Sequence, residues 1–97
     1  MKKPKRNLSI IQSQKKSFLS GVTQNLTPHE PIGGGSRQLS LQEGLWIWLT
    51  LAEHRWIHDT HDGELKDKEL SALMQIKWLE HTGKNKKDWY RLFYKYY

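Results

Sequence analysis

Apolar residues recur at helical spacing in the second half of the chain, first in a stretch that begins near Ser40. Ser40 and Glu43 fit a capping box, in which a serine hydroxyl and a glutamate carboxylate satisfy each other's backbone N–H groups. The pattern therefore predicts a first helix that begins at Ser40. Its apolar face consists of Leu41, Leu45, Trp48, Leu49, Ala52 and Trp56.

Trp46 and Ile47 lie off this face, so the predicted helix is apolar on more than one side. Tryptophan is enriched at binding hot spots, which makes Trp46 and Ile47 candidate protein-interface residues. A small core wrapped on both sides explains the two residues equally well.

Two further helices are predicted towards the C-terminus. The second runs from about Glu64 or Asp67 to His81, and Gly83 is placed to act as its left-handed C-cap. It carries two apolar stripes, which implies two neighbours. One stripe contains Leu70, Leu73, Met74 and Trp78, and the other contains Leu65, Ala72, Ile76 and Leu79.

The third helix is predicted to begin at a cap formed by Asn85 and Asp88. Its buried face consists of Trp89, Leu92, Phe93 and Tyr96, which recur at i, i+3, i+4 and i+7. Three short helices with short connections predict an all-α fold, a small three-helix bundle or orthogonal helical domain.

The N-terminal part of the chain lacks such a continuous pattern. Pro28 and Pro31 disfavour helix, and residues 33–36 form a glycine-rich hinge. We therefore expect two regions: residues 1–38 as a basic, flexible arm with a Gly-rich hinge, and residues 39–97 as an aromatic-rich helical domain.

Charge divides along the same boundary. The net charge is +6 at pH 7, and residues 1–38 contain seven basic residues and one acid, whereas residues 39–97 contain nine of each. Residues 84–97 form a second basic segment, with five basic residues and one acid. Charge that is segregated in this way indicates a charged binding partner, and it says nothing about the fold.

Basic residues interleaved with aromatic rings are typical of nucleic-acid surfaces, because cations neutralise phosphates and rings stack on bases. The alternative is a solvated helix face and a solubilising tail. The candidate nucleic-acid-binding residues are Lys2, Lys3, Lys5, Arg6, Lys84, Lys86, Lys87, Arg91 and Lys95. Tyr90 and Tyr94 join Trp46 and Ile47 as candidate protein-interface residues.

A histidine group offers the ligand chemistry for a metal ion. His54 and His58 lie four residues apart on a predicted helix, so their rings can converge on one ion, and His61 or Asp62 could complete a site from the loop. The acid Glu53 precedes His54, so the His-Glu-x-x-His arrangement of metalloproteases is absent. We favour the alternative of a polar helix end, where imidazolium complements the helix dipole, and expect no metal, cofactor or catalytic residue.

The chain has no cysteine, which excludes disulfides and thiolate catalysis, and favours a reducing compartment such as the cytoplasm. Its apolar runs are too short for a membrane span, so no membrane partner is expected. The sequence predicts a small non-enzymatic regulatory or accessory protein that associates with nucleic acid, DNA or RNA, through the arm and the C-terminal helix. The alternative is a protein-interaction module, an inhibitor or adaptor, whose arm folds on a larger protein complex; a homo-oligomer is also open.

Overall fold

The computed structural model describes residues 6–97 and combines helices with a small sheet. The prediction of an all-α fold is therefore wrong, and the fold is mixed. In chain order the elements are β1 (Leu26–His29), a one-turn 3-10 helix (Gly34–Ser36), α1 (Arg37–Gln42), β2 (Ile47–Thr50), α2 (Leu51–Asp59), α3 (His61–Thr82) and α4 (Lys86–Phe93).

Strands β1 and β2 pair antiparallel, although they lie on opposite sides of the predicted boundary at residue 38. Pro28 lies opposite Trp48 in this register. The N–H of Trp48 donates to the side-chain oxygen of Gln12 at 2.8 Å, and its carbonyl accepts from the N–H of Phe18 at 2.8 Å. Because both polar groups of Trp48 point away from β1, this position of the ladder requires no N–H from proline.

The segment before β1 lies along the other edge of β2 and along α1. The N–H of Asn7 donates to Leu41 O at 2.9 Å, and that of Ile10 donates to Gly44 O at 3.0 Å. The hydroxyl of Ser9 donates to Trp46 O at 2.7 Å. From residue 6 onward, the expectation of a flexible arm is therefore wrong, because these backbone groups are bound to the rest of the fold.

The first predicted helix is divided into α1, β2 and α2. Gly44 ends α1 with a φ of +71°, in the left-handed region that glycine adopts without strain. Thr50 then forms a capping box with Glu53 and begins α2. Ser40, predicted to be a cap, is buried within α1, where its hydroxyl donates to Ile32 O at 2.7 Å. The run of apolar residues that would have covered every side of a helix instead forms the buried strand β2.

The caps predicted near the C-terminus are confirmed. Gly83 ends α3 with a φ of +68°, and Asn85 forms a capping box with Asp88 at the start of α4. Helix α3 begins earlier than predicted, because Thr60 caps it by accepting from the N–H of Gly63. Its second apolar stripe packs only in part, since Leu79 lies against the core whereas Leu65 and Ile76 are about half exposed.

The core lies between the sheet and the helices that cover it, with tryptophans at its centre. Trp89 stacks on Phe93 at 4.1 Å between ring centroids and meets Trp78 edge to face at 5.5 Å. Each indole N–H has a partner, Glu43 for Trp78 and Lys95 O for Trp89. The buried cluster contains Ile32, Leu45, Ile47, Leu49, Ile57, Leu70, Met74, Trp78, Trp89 and Phe93.

Tyr96, predicted to belong to the core, is half exposed because α4 ends at Phe93. Tyr97 packs against Trp89 instead, with ring centroids 6.2 Å apart. Within residues 6–97, no helix has both the length and the apolar composition that crossing a bilayer requires.

Gly44 provides a test of the docked N-terminal segment. Gly44→Ala should lower the free energy of unfolding by about 1–2 kcal/mol through backbone strain. The free energy of unfolding should fall by about 1–3 kcal/mol more, because the new Cβ would collide with the carbonyl oxygen of Leu8. Gly83→Ala is the matched control, since Gly83 has a similar φ of +68° and no atom within 4 Å of its built Cβ. If urea denaturation showed the same loss of stability in both variants, the docking of the N-terminal segment against Gly44 would be contradicted.

Candidate metal centre

Three histidine rings from two elements converge at one side of the sheet. His29 is the last residue of β1, and His54 and His58 lie one turn apart on α2. Their ligand nitrogens all lie within 4.8 Å of one another. The ring centroids are 4.5 Å apart for His54 and His58, and 5.1 and 5.7 Å from His29 to these two rings. The three rings are therefore close enough together to be candidate ligands of a single ion.

The convergence follows from the way α2 folds back over the sheet. β2 ends at Thr50, opposite Leu26, whereas His29 lies at the far end of β1, opposite Ile47. Three residues of strand cover about 10 Å. Seven residues of helix cover about the same distance, which brings the turn containing His58 level with His29.

His29 is held in place by an acid from α3. Its side chain is buried, and its Nε2 lies 2.7 Å from Oδ1 of Asp67. This contact fixes the orientation of the ring and leaves Nδ1 as its free nitrogen. A carboxylate behind a histidine is the usual arrangement around a protein-bound metal, where it orients the ring and raises its basicity.

His54 and His58 have the spacing of two ligands of one ion. Their Nε2 atoms are 3.3 Å apart. Two nitrogens bound to tetrahedral zinc at about 2.0–2.1 Å are themselves about 3.4 Å apart. Burial, together with the nearby His29 and His58, lowers the pKa of His54 below its usual value. This favours the neutral imidazole, which is the form that binds a metal.

The three rings open on a cavity of about 400 Å³ that two guanidinium groups also line. Arg6 Nη2 lies 3.0 Å and Arg37 Nε lies 3.7 Å from the same oxygen of Glu30. One carboxylate facing two guanidinium groups leaves a net positive charge. The cavity wall therefore favours an anion beside the histidine cluster.

The structure brings together His54 and His58, as their spacing predicted, but their third neighbour is His29 and neither His61 nor Asp62. His61 is exposed at the start of α3.

Burial alone would raise the pKa of Glu53, but hydrogen bonds from Ser17 and from Thr50 lower it below its usual value. Glu53 therefore serves the N-terminus of α2 and the docked segment rather than the cluster.

Sequence reasoning missed His29 because it lies in the segment assigned to the flexible arm. Pro28 and Pro31 favour extended backbone at Thr27 and Glu30, the residues before them, which indicates a strand nearby but does not mark His29 as a ligand. Asp67, which contacts His29, was placed only as a residue near the start of a helix.

The candidate nucleic-acid-binding residues fall into separate groups. Lys2, Lys3 and Lys5 lie outside the described residues. Arg6 lines the histidine cavity and also lies 5.1 Å from the ring centre of Trp46. The others surround α4 and are exposed: Lys84, Lys86, Lys87, Arg91 and Lys95.

The candidate protein-interface residues divide into buried and exposed pairs. Trp46 is 7% and Ile47 is 0% exposed, so both are core residues in this chain. Tyr90 and Tyr94 are 45% and 75% exposed. Of the four candidate protein-interface residues, only the two tyrosines are exposed enough to contact another protein.

Comparison with protein-family models, curated proteins and solved structures returns no match for this chain. Function is therefore inferred from the geometry of the molecule, above all from the histidine cluster and its cavity.

We expect Zn²⁺ or Mn²⁺ to stabilise the folded protein. At a free concentration of 100 times Kd the gain is about 2.7 kcal/mol, measured as a rise in the thermal midpoint. His58→Ala should remove the gain, and Asp67→Asn should weaken binding about 10–100-fold because His29 loses its orienting acid. His61→Ala is the matched control and should bind as the unmodified chain does. An equal loss in His61→Ala, or no stabilisation by either ion, would contradict a centre at His29, His54 and His58.

Proposed function

We propose that the protein is a metal-dependent phosphodiesterase that acts on nucleic acid. The observation that carries this proposal is the convergence of three imidazoles on an open cavity lined by two guanidinium groups. The proposal keeps the nucleic-acid partner expected from the charge pattern. It replaces the expected non-enzymatic role with a hydrolytic one.

Three protein ligands and an open position are the arrangement of catalytic zinc sites, whereas structural sites use four protein ligands. A divalent ion in such a site lowers the pKa of a bound water and so supplies a nucleophile at neutral pH. In this chain His29, His54 and His58 are the proposed ligands, and Asp67 is a positioning residue that acts through His29.

Arg6 and Arg37 are suited to bind the substrate phosphate. Both line the cavity that the histidines face, and both side chains are partly exposed. Guanidinium groups present paired N–H donors that match the oxygens of a phosphate, and they keep their charge at all relevant pH values. Glu30 holds the two side chains near each other, and a phosphate can then share their donors.

The wider distribution of charge supports a polymeric substrate. Basic side chains flank α4, and further lysines occur at the N-terminus. A nucleic acid can contact several such cations at once, which strengthens binding in a salt-dependent way. A nucleic-acid substrate and a chain without cysteine both support a cytoplasmic location.

The alternative, a protein-interaction module, has weaker support. Trp46 and Ile47 are buried, so that hypothesis retains only Tyr90 and Tyr94. The docked segment from residue 6 onward is already bound to its own chain, which leaves less of it to fold on another protein.

Cleavage assays on the full chain test the proposal. After treatment with EDTA, the protein should cleave single-stranded and duplex DNA or RNA only when Mn²⁺ or Zn²⁺ is returned in excess. His54→Ala and His58→Ala should each lower the rate by about a hundredfold or more, because the nucleophile is no longer formed. Arg37→Ala should lower it about tenfold or more through loss of a charged donor to the phosphate.

His61→Ala serves as the control in this assay and should keep the full rate. Metal binding without cleavage of any of these polymers would overturn the hydrolytic function. Cleavage that persists in both His54→Ala and His58→Ala would assign the activity to a contaminant.

A further inference from the structure

Three tyrosines form an exposed cluster at the end of α4. Tyr90, Tyr94 and Tyr96 are 45%, 75% and 50% exposed. The rings of Tyr90 and Tyr96 are 5.2 Å apart between centroids and inclined by 30°, and those of Tyr90 and Tyr94 are 6.1 Å apart. We call these three residues the tyrosine cluster. Each of the three residues thus keeps about half of its surface or more open to solvent.

The backbone that carries the tyrosine cluster is anchored to the core. Helix α4 ends where Tyr94 adopts a φ of +54°. The indole N–H of Trp89 then donates to Lys95 O at 2.9 Å, and the N–H of Tyr97 donates to the side-chain oxygen of Gln75 at 2.6 Å. A surface that is already ordered loses less conformational entropy when it binds a partner.

Exposed cations lie on the same helix and on the turn that carry the tyrosine cluster. Lys86, Lys87, Arg91 and Lys95 are all exposed. In the part of the chain that the structure describes, Asp88 is the only acid in an ion pair with any of them, at 3.3 Å from Arg91. This excess of positive charge is complementary to a polyanion.

A second cavity, of about 430 Å³, lies between the tyrosine cluster and α3. Lys95 and Tyr96 line one side, and Asp67 lines another. Asp67 is the same acid that holds His29 in the metal centre. Asp67 therefore contacts His29 and also lines the cavity that Tyr96 lines.

We propose that the tyrosine cluster binds single-stranded nucleic acid, with unpaired bases stacked on Tyr90, Tyr94 and Tyr96 and phosphates neutralised by the surrounding cations. Aromatic rings stack on any base, but a duplex hides its base faces within its own stack. The cluster thus distinguishes single strands from duplexes. This inference rests on the proposed function, which names nucleic acid as the substrate. It adds that the protein prefers single strands to duplexes.

The test uses the full chain in EDTA, so that no cleavage occurs during binding. Fluorescence anisotropy would compare a labelled single-stranded DNA oligonucleotide of mixed sequence with the duplex of the same sequence, and an RNA strand with both. We expect the single strands to bind more tightly than the duplex. Tyr90→Ala combined with Tyr94→Ala should weaken single-strand binding about tenfold or more while duplex binding stays within about twofold.

Two sets of control variants separate stacking from other effects. Tyr90→Phe combined with Tyr94→Phe keeps the rings and should keep single-strand affinity, which also shows that loss in the alanine variant is not loss of the hydroxyls. Lys87→Ala and Arg91→Ala should weaken single strands and duplexes alike and reduce the salt dependence. Lys77→Ala removes a cation that is paired with Glu80 on α3 and should leave both affinities unchanged.

Unchanged single-strand affinity in the alanine variant overturns the inference, as does a duplex that binds as tightly as the single strand. Neither result affects the proposed function, which is measured separately by cleavage with metal present. Loss of cleavage in His54→Ala with single-strand binding retained would support both proposals independently. If the alanine variant unfolds, as judged by circular dichroism, the single substitutions Tyr94→Ala and Tyr94→Phe decide the outcome at the most exposed ring.

Discussion

A buried strand must satisfy its backbone polar groups on both edges, and β2 meets this constraint with residues from the first third of the chain. Ile47 and Leu49 have no exposed surface, so water cannot serve as their partner. β1 pairs with one edge of β2, and Gln12 and Phe18 bind the other edge at Trp48. Among the described residues, every buried side-chain nitrogen or oxygen also has a partner. The N-terminal segment is thus part of the fold.

The candidate site depends on the same pairing. β1 carries His29, and the chain leaves β2 directly into α2, which returns over the sheet with His54 and His58. Asp67 from α3 then closes the arrangement behind His29. A histidine cluster made from residues so far apart in sequence exists only when the two strands are paired. Chemistry and sheet formation are therefore inseparable in this chain.

Local signals predicted the C-terminal half well. Gly83 and the Asn85–Asp88 box are read from their immediate neighbours, because caps depend on one turn of chain. The division of the first helix was missed, since a short buried strand and a helix apolar on several sides share one pattern; only Gly44 marked the break. His54 and His58 could be paired by helical spacing alone, whereas His29 required tertiary contacts between distant segments that no local pattern contains.

The two-sided support of β2 also constrains when the protein can fold. During synthesis the segment that flanks β2 emerges first, well before its partner strand, and it finds no template until β2 follows. His29 gains its hydrogen-bond partner only once Asp67 on α3 has been synthesised. The tryptophan core likewise needs Trp89 on α4. Contacts between segments far apart in sequence carry a large loop-closure entropy, which slows their formation. The native core therefore cannot be complete until the residues from β1 through Trp89 have all been synthesised.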